Sequence, residues 1–387
     1  MTKGQARYTP TFFLAMLTSL LFFASIHLLT WTLPLYLSSA FSSATAIGLI
    51  IGVMALSAVL LRPWAGEWAD RYGRKFVILI GAACFAAAPL FYMAGGSVLA
   101  LVLGRLIHGA GICLFTTGYG SLIADLAAPG KRGEAIGLAS ISMPISLMIM
   151  PRLGSFVQER YGFPLLFGVS VAVALAALGV ALMLPKGNYR QAASAPSIPF
   201  RAVMRVPRLW AGLIAVVALA VVYGALSSFM PLFAEERGIP QGSYFFLGYG
   251  LALVLVSAFV GGLSDRWGRA KVIAPGMLGV AVTLAALSQV SHLTPYLLLA
   301  FAFGLSAGAA KVSLDAFFVD SVPLEGRGSV VSLEYAVYDL GIGLGGWGLG
   351  AVADATGYSG MFIVMAAVVL TGLVVFVPLH RRNGRAA

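Results

Sequence analysis

Twelve long apolar runs, separated by short stretches of charge, glycine or proline, leave this 387-residue chain almost no choice of fold class. They fall near 11–37, 46–66, 76–95, 98–124, 134–157, 163–184, 209–234, 243–263, 271–290, 295–319, 329–352 and 357–379. Each approaches or exceeds the ~20 residues that a helix needs to cross a bilayer at ~1.5 Å per residue. Only 10% of the residues are charged, where soluble domains carry roughly a quarter. Single soluble cores stop growing near ~250–300 residues, so lipid must cover the remaining apolar surface. The expectation is an all-α membrane protein with no sizeable soluble domain, whose work is done inside the bilayer.

The net charge of +11 would suit nucleic acid if it formed one basic face, but the basic residues lie between apolar runs. Membrane topology accounts for them better. With twelve crossings, twenty of the 25 Lys and Arg fall on one side and only Arg160 and Arg237 on the other. Arg105, Arg152 and Lys311 lie within runs. Basic loops stay in the cytoplasm, so both termini are expected there, in a multi-pass protein of the inner (plasma) membrane. Lys3 and Arg7 ahead of the first run resemble a signal peptide only superficially, because the run is too long and no small-residue cleavage pattern follows. Residues 185–208, with four prolines and five basic residues, suit a cytoplasmic linker between an N-terminal six-helix bundle (1–184) and a C-terminal one (209–387). Cys84 and Cys113 both sit in apolar runs, which argues against a disulfide framework or a thiolate metal site.

The halves repeat. Adding 195 brings Gly66, Asp70, Arg71, Gly73, Arg74, Gly81, Gly109, Asp125, Arg132 and Gly133 onto Gly261, Asp265, Arg266, Gly268, Arg269, Gly276, Gly304, Asp320, Arg327 and Gly328 without a gap. Identities in Asp, Arg and Gly are not compositional in so apolar a chain, so an internal duplication is the better account.

The segment Gly66 to Lys75 resembles the signature loop of the major facilitator superfamily, G-x-x-x-D-R-x-G-R-K/R, and Gly261 to Arg269 repeats its core. Asp125, Pro129, Arg132 and Gly133 resemble the end of that family's fourth helix. Leu101, Arg105, Gly109 and Gly111 resemble the motif within it, with His108 where Gln is usual. Leu29 to Pro34 is similar to the family's L-x-x-x-x-P. The fifth-helix pattern that marks drug and metabolite antiporters departs here, since Met150 to Ser155 keeps only Pro151 and Gly154. The resemblance implies two six-helix bundles related by a pseudo-two-fold axis around a central cavity, lined by spans one, four, seven and ten with parts of two, five, eight and eleven. It also implies that Gly66, Asp70, Arg71, Gly73, Arg74, Asp125 and Arg132, with Gly261, Asp265, Arg266, Gly268, Arg269, Asp320 and Arg327, form gates. Gly66 and its copy would permit helix ends and close backbone approach.

A charged side chain at mid-bilayer costs ~2.5–3.5 kcal/mol on insertion scales, so each one needs a partner or a wet cavity. His27, Arg105, His108 and Arg152 in the first half, and Lys311, Asp315, Glu334 and Asp339 in the second, are such groups. Arg105 and Arg152 are candidates to hold an anionic substrate group, because a guanidinium presents paired donors. For Arg152 the competing reading is snorkelling to the interface, and for His27 and His108 an interhelical hydrogen bond. Lys311 and Asp315 share a helix face and could simply neutralise each other. Alternatively a carboxylate caught between a dry surrounding and a nearby ammonium can trade its proton as substrate arrives. Asp315 and Asp339 are therefore the candidate proton carriers, followed by Glu334. Trp31, Tyr36, Tyr119, Tyr223, Tyr249, Tyr335 and Tyr338 could line an amphipathic cavity.

No catalytic constellation occurs: there is no H-E-x-x-H and no P-loop, and the glycines from Gly341 to Gly346 lie inside a span, where small residues serve helix packing. The chain reads as no enzyme and as needing no cofactor or metal. The expected function is proton-coupled secondary transport, most simply export of a small anionic or zwitterionic organic molecule by a monomer in the lipid bilayer. Multidrug efflux of amphipathic cations, import of an organic anion, lipid flipping and a sensor without turnover are the alternatives.

Overall fold

A computed structural model describes residues 8–94, 97–128, 132–186, 206–323 and 326–383. Most of the expected linker, 187–205, lies outside these, as does the side chain of Arg132. Among the described residues every regular element is helical, and ten helices are long and apolar enough to cross a membrane. Two of the ten are double crossings. Gly133–Leu182 is interrupted at Gly162 (φ 82°, ψ 173°) and Arg327–His380 at Gly357 (φ 73°, ψ 169°), conformations that side chains rarely adopt. Dividing both at their glycines yields twelve spans. In order the others are one (Pro10–Ser38), two (Ala44–Arg71), three (Arg74–Met93), four (Val98–Leu126), seven (Arg208–Glu236), eight (Gly242–Trp267), nine (Arg269–Leu287) and ten (Leu293–Asp320). Spans five and six share the first divided helix, and eleven and twelve the second.

Local chemistry sets the boundaries. Thr9 caps span one by accepting from the Phe12 amide at 3.3 Å, with Pro10 preset for the first turn. Ser43 and Ser97 cap spans two and four through the amides of Ala46 and Ala100, each at 3.4 Å. Span one breaks at Trp31, between helices Pro10–Thr30 and Thr32–Ser38. Pro34 lies four residues beyond Thr30, where its ring collides with the carbonyl that a continuous helix would hydrogen-bond.

The duplication has a geometric counterpart at the same offset of 195. Gly73 (φ 96°) and Gly268 (φ 93°) close equivalent turns, and Gly162 and Gly357 divide equivalent helices. Arg74 joins Asp70 and Asp125, and Arg269 joins Asp265 and Asp320. Each arginine thus ties the ends of three helices within its own half.

Contacts between the halves are uneven along the spans. Spans two and eleven meet at glycines: a methyl on Gly48 would collide with the Gly346 carbonyl, and one on Gly350 would lie 2.8 Å from the Ala44 carbonyl. Span eight approaches span five where Gly250 meets Met148. These contacts lie toward the face opposite the duplicated loops. Nearer the loops, Gly66, Gly261 and Gly328 have nothing within 4 Å of where a Cβ would stand. The close approach expected of Gly66 and Gly261 is therefore absent in this conformation.

Candidate functional site

Between the halves lies a cavity of about 410 Å³, within the ~300–1,000 Å³ typical of small-molecule sites. Its walls come from spans one, two, four, five, seven and eleven. They reach from Pro34 to Ile136 and Ser140, at the end of span five nearer the duplicated loops. The surface is mostly apolar, with a few polar groups set into it.

Of the residues singled out in the sequence, His27, Arg105, Tyr119, Tyr223, Tyr335, Tyr338 and Asp339 line this space. Arg105 is 7% exposed and donates from Nε and one terminal nitrogen to the Ile51 carbonyl, at 3.2 and 2.8 Å. That fork fixes the guanidinium without neutralising it, and no ion pair to Arg105 occurs among the described residues. His27 Nδ1 bonds the Ser146 hydroxyl at 2.9 Å, joining spans one and five. The Tyr119 hydroxyl donates to the Ala139 carbonyl at 3.2 Å.

Other candidates lie outside the walls. His108 is fully buried behind Arg105, with Nδ1 2.8 Å from the Tyr92 hydroxyl. Trp31 does not line the cavity with His27; it packs against Gly242 and Phe246 of span eight. Tyr36 and Tyr249 likewise pack within aromatic clusters. Arg152 reaches Glu159 at 3.3 Å and stacks over Tyr244, near the face opposite the duplicated loops.

Lys311, Asp315 and Glu334 form one cluster beside the cavity. Lys311 bonds Asp315, one helical turn away, and Glu334 of span eleven at 2.7 Å. Its ammonium also lies over the rings of Tyr335 and Tyr338, at 5.8 and 5.1 Å, so these two tyrosines separate the cluster from the cavity. Two carboxylates thus face one ammonium. Span ten, which carries Lys311, contributes nothing to the walls in this conformation.

Two functional candidates escaped sequence reasoning. Arg62 lines the cavity at 7% exposure and pairs with Asp339 of the other half, with its guanidinium over Tyr335 at 5.3 Å. Nine residues separate it from Arg71, or ~14 Å along a helix, so it is too deep to be a loop charge. Its place inside the apolar run 46–66 was the available signal. The second is Asp354, at the tip of span eleven beyond its apolar stretch. It accepts from the Ala44 amide (2.7 Å), the Thr45 amide (3.0 Å), the Ser43 hydroxyl (2.7 Å) and the Thr45 hydroxyl (2.6 Å). Partial desolvation opposes ionisation there, but the bonds from Thr45, Ser43 and Ala44 outweigh it and hold the carboxyl at about 2.

Among the gate candidates, Asp70, Arg74 and Asp125, and Asp265, Arg269 and Asp320, form the two intra-half ties described above. Arg71 stacks over Tyr72 at 5.3 Å, and Arg327 is exposed.

Comparisons with known proteins converge on one family. The sequence profile described as Major Facilitator Superfamily matches residues 14–259 and again 241–386. The chain is 24% identical over 369 residues to the staphylopine export protein of Staphylococcus aureus (strain Mu50), covering 92% of each chain. It is 28% identical over 159 residues to multidrug resistance protein 1 of Bacillus subtilis (strain 168), a match spanning 41% of each. Among solved structures, a bacterial homologue of the human lysosomal transporter Spinster, in an inward-facing, unoccupied conformation, superposes with a TM-score of 0.79. That alignment covers 98% of both chains at 18% identity.

Proposed function

Because this chain belongs to the major facilitator superfamily of membrane transporters, we propose that it is a proton-coupled exporter of a small organic molecule carrying an anionic group, most simply a zwitterion. The observation that carries the reading is Arg105, a fixed guanidinium in the cavity wall with no counter-charge among the described residues. A group that costs ~2.5–3.5 kcal/mol to insert, left unneutralised beside a wet space, suits a ligand that supplies the missing anion. The positive-inside bias supports cytoplasmic termini, so the end of the cavity at Ile136 and Ser140, nearer the duplicated loops, faces the cytoplasm.

Export against a proton gradient needs proton and substrate to compete. Asp339 in the wall and the Asp315–Glu334 pair beside it are the acids positioned for this role. A substrate ammonium and a proton neutralise the same carboxylate, so either one disfavours the other. On this reading the outward-open form takes up a proton as substrate leaves, and the inward-open form releases it as substrate binds. The relative named for staphylopine export supports the direction. A second reading, efflux of amphipathic cations, is favoured by Asp339 standing among Tyr223, Tyr335 and Tyr338 in an otherwise apolar wall.

The test is counterflow and net transport in proteoliposomes, with a metabolite panel spanning anions, zwitterions and cations under imposed pH gradients of either sign. The reading predicts that an anion-bearing compound accumulates on the acidic side. Accumulation of cations alone would replace it with the second reading, and binding without exchange would leave a sensor.

A further inference from the structure

Arg62 and Asp339 stand out because they pair across the two halves of the molecule and both face the cavity. Arg62 comes from span two and Asp339 from span eleven, which meet closely on the far side of the pair. The arginine is not fully engaged. Its Nε is buried without a hydrogen-bond partner among the described residues, although its terminal nitrogen bonds Asp339. A guanidinium presents a two-pronged edge, and here one prong is idle. Asp339 is 16% exposed and makes its ion pair through one oxygen.

Resting on the proposed handling of anionic or zwitterionic substrates, in which the charge of Arg105 draws an anion into the cavity, we propose that this pair seats the substrate's charged head. A zwitterion inserts into it: the substrate carboxylate takes both prongs of Arg62, and the substrate ammonium takes Asp339. The exchange replaces one buried pair by two, so neither charge is left alone in a dry site. It also replaces a direct tie between the halves by a longer one that runs through the substrate. Asp339 thereby becomes the acid for which ammonium and proton compete. The surrounding groups suit the role: Tyr335 stacks on Arg62, Tyr338 lines the wall, and Lys311 is occupied by Asp315 and Glu334.

Three probes on one ring separate the possibilities in the purified full-length protein: 4-(aminomethyl)benzoate, benzoate and benzylamine, measured by equilibrium dialysis. The wild type is expected to bind the zwitterion most tightly. Arg62→Ala should weaken the zwitterion and benzoate at least ~10-fold. Asp339→Asn should split the probes, weakening the zwitterion but strengthening benzoate, which no longer has a competitor for Arg62. A field effect alone would also strengthen benzoate, so Arg62→Ala/Asp339→Asn decides. The gain disappears in that background if the two anions compete for Arg62, and its persistence would overturn the proposal. The double variant leaves no lone charge, which protects the test from misfolding of the single variants. If the wild type prefers the zwitterion or benzoate while Arg62→Ala changes neither, insertion into this pair is wrong and anion handling by Arg105 stands. If the wild type prefers benzylamine over both, the anionic reading itself fails.

Discussion

Asp354 accepts a 2.6 Å hydrogen bond from the Thr45 hydroxyl, fastening the tip of span eleven to the first turn of span two. With the Ser43 hydroxyl and the amides of Ala44 and Thr45, this carboxylate caps a helix that belongs to the other half. Opening the cavity on this face must break all four bonds. Asp354→Ala is therefore expected to raise the population open on this face, measured as a longer distance between spin labels at the ends of spans two and eleven opposite the duplicated loops. An unchanged distance distribution would show that the cap does not hold the face closed.

The same contact has a defined pH range. The carboxyl is lowered from its ordinary 3.8 to about 2, so its contribution is fully present above pH 3.8. It is lost only as pH falls through about 2. The closed face should therefore give the same spin-label distances at pH 7 and pH 5. Separation of the labels by pH 5 would contradict this assignment.

Arg105 is held through both prongs of its fork on one carbonyl, a geometry that lysine cannot reproduce. Arg105→Lys keeps the charge but loses the fixed position. Affinity for the transported anion should fall about 10-fold, a loss of ~1.4 kcal/mol, with a larger fall in Arg105→Ala. Equal affinities in all three proteins, read by titration calorimetry, would remove Arg105 from the site.

Lys311 faces two carboxylates, so its substitutions are asymmetric. Asp315→Asn leaves the Lys311–Glu334 pair intact, and the protein should fold normally while losing coupling to the pH gradient. Lys311→Ala leaves Glu334, 3% exposed, without its counter-charge. Breaking a buried pair costs about 3 kcal/mol or more, so a clear drop in thermal stability is expected. Proton-driven transport unchanged in Asp315→Asn, Glu334→Gln and Asp339→Asn alike would refute the assignment of the proton to these acids.

Much of the architecture was legible in the sequence because the bilayer imposes a length and a polarity on every crossing. The offset of 195 was visible in Asp70, Arg74 and Asp125, and it recurs in the ion pairs and in the turns at Gly73 and Gly268. The site was only partly legible. Trp31 was expected among the cavity aromatics, but it packs against Gly242 and Phe246 of span eight, a tertiary contact that no local pattern encodes. Charge counting assigned Arg62 to a loop, although its depth and its partner Asp339 belong to the cavity. Lys311 was read through its neighbour four residues away. Its bond to Glu334 depends on how spans ten and eleven pack, which no local pattern encodes.

Proton-coupled export, as proposed, requires substrate and proton to compete for carboxylates in and beside one cavity. The most direct test is proton release from the purified, weakly buffered transporter when a compound that shows counterflow is added near the pH at which those acids are half protonated. Competition predicts release that saturates with binding, at roughly one proton per substrate, and that falls in whichever of Asp315→Asn, Glu334→Gln and Asp339→Asn uncouples transport from the pH gradient. Binding without release, or with proton uptake, would contradict it.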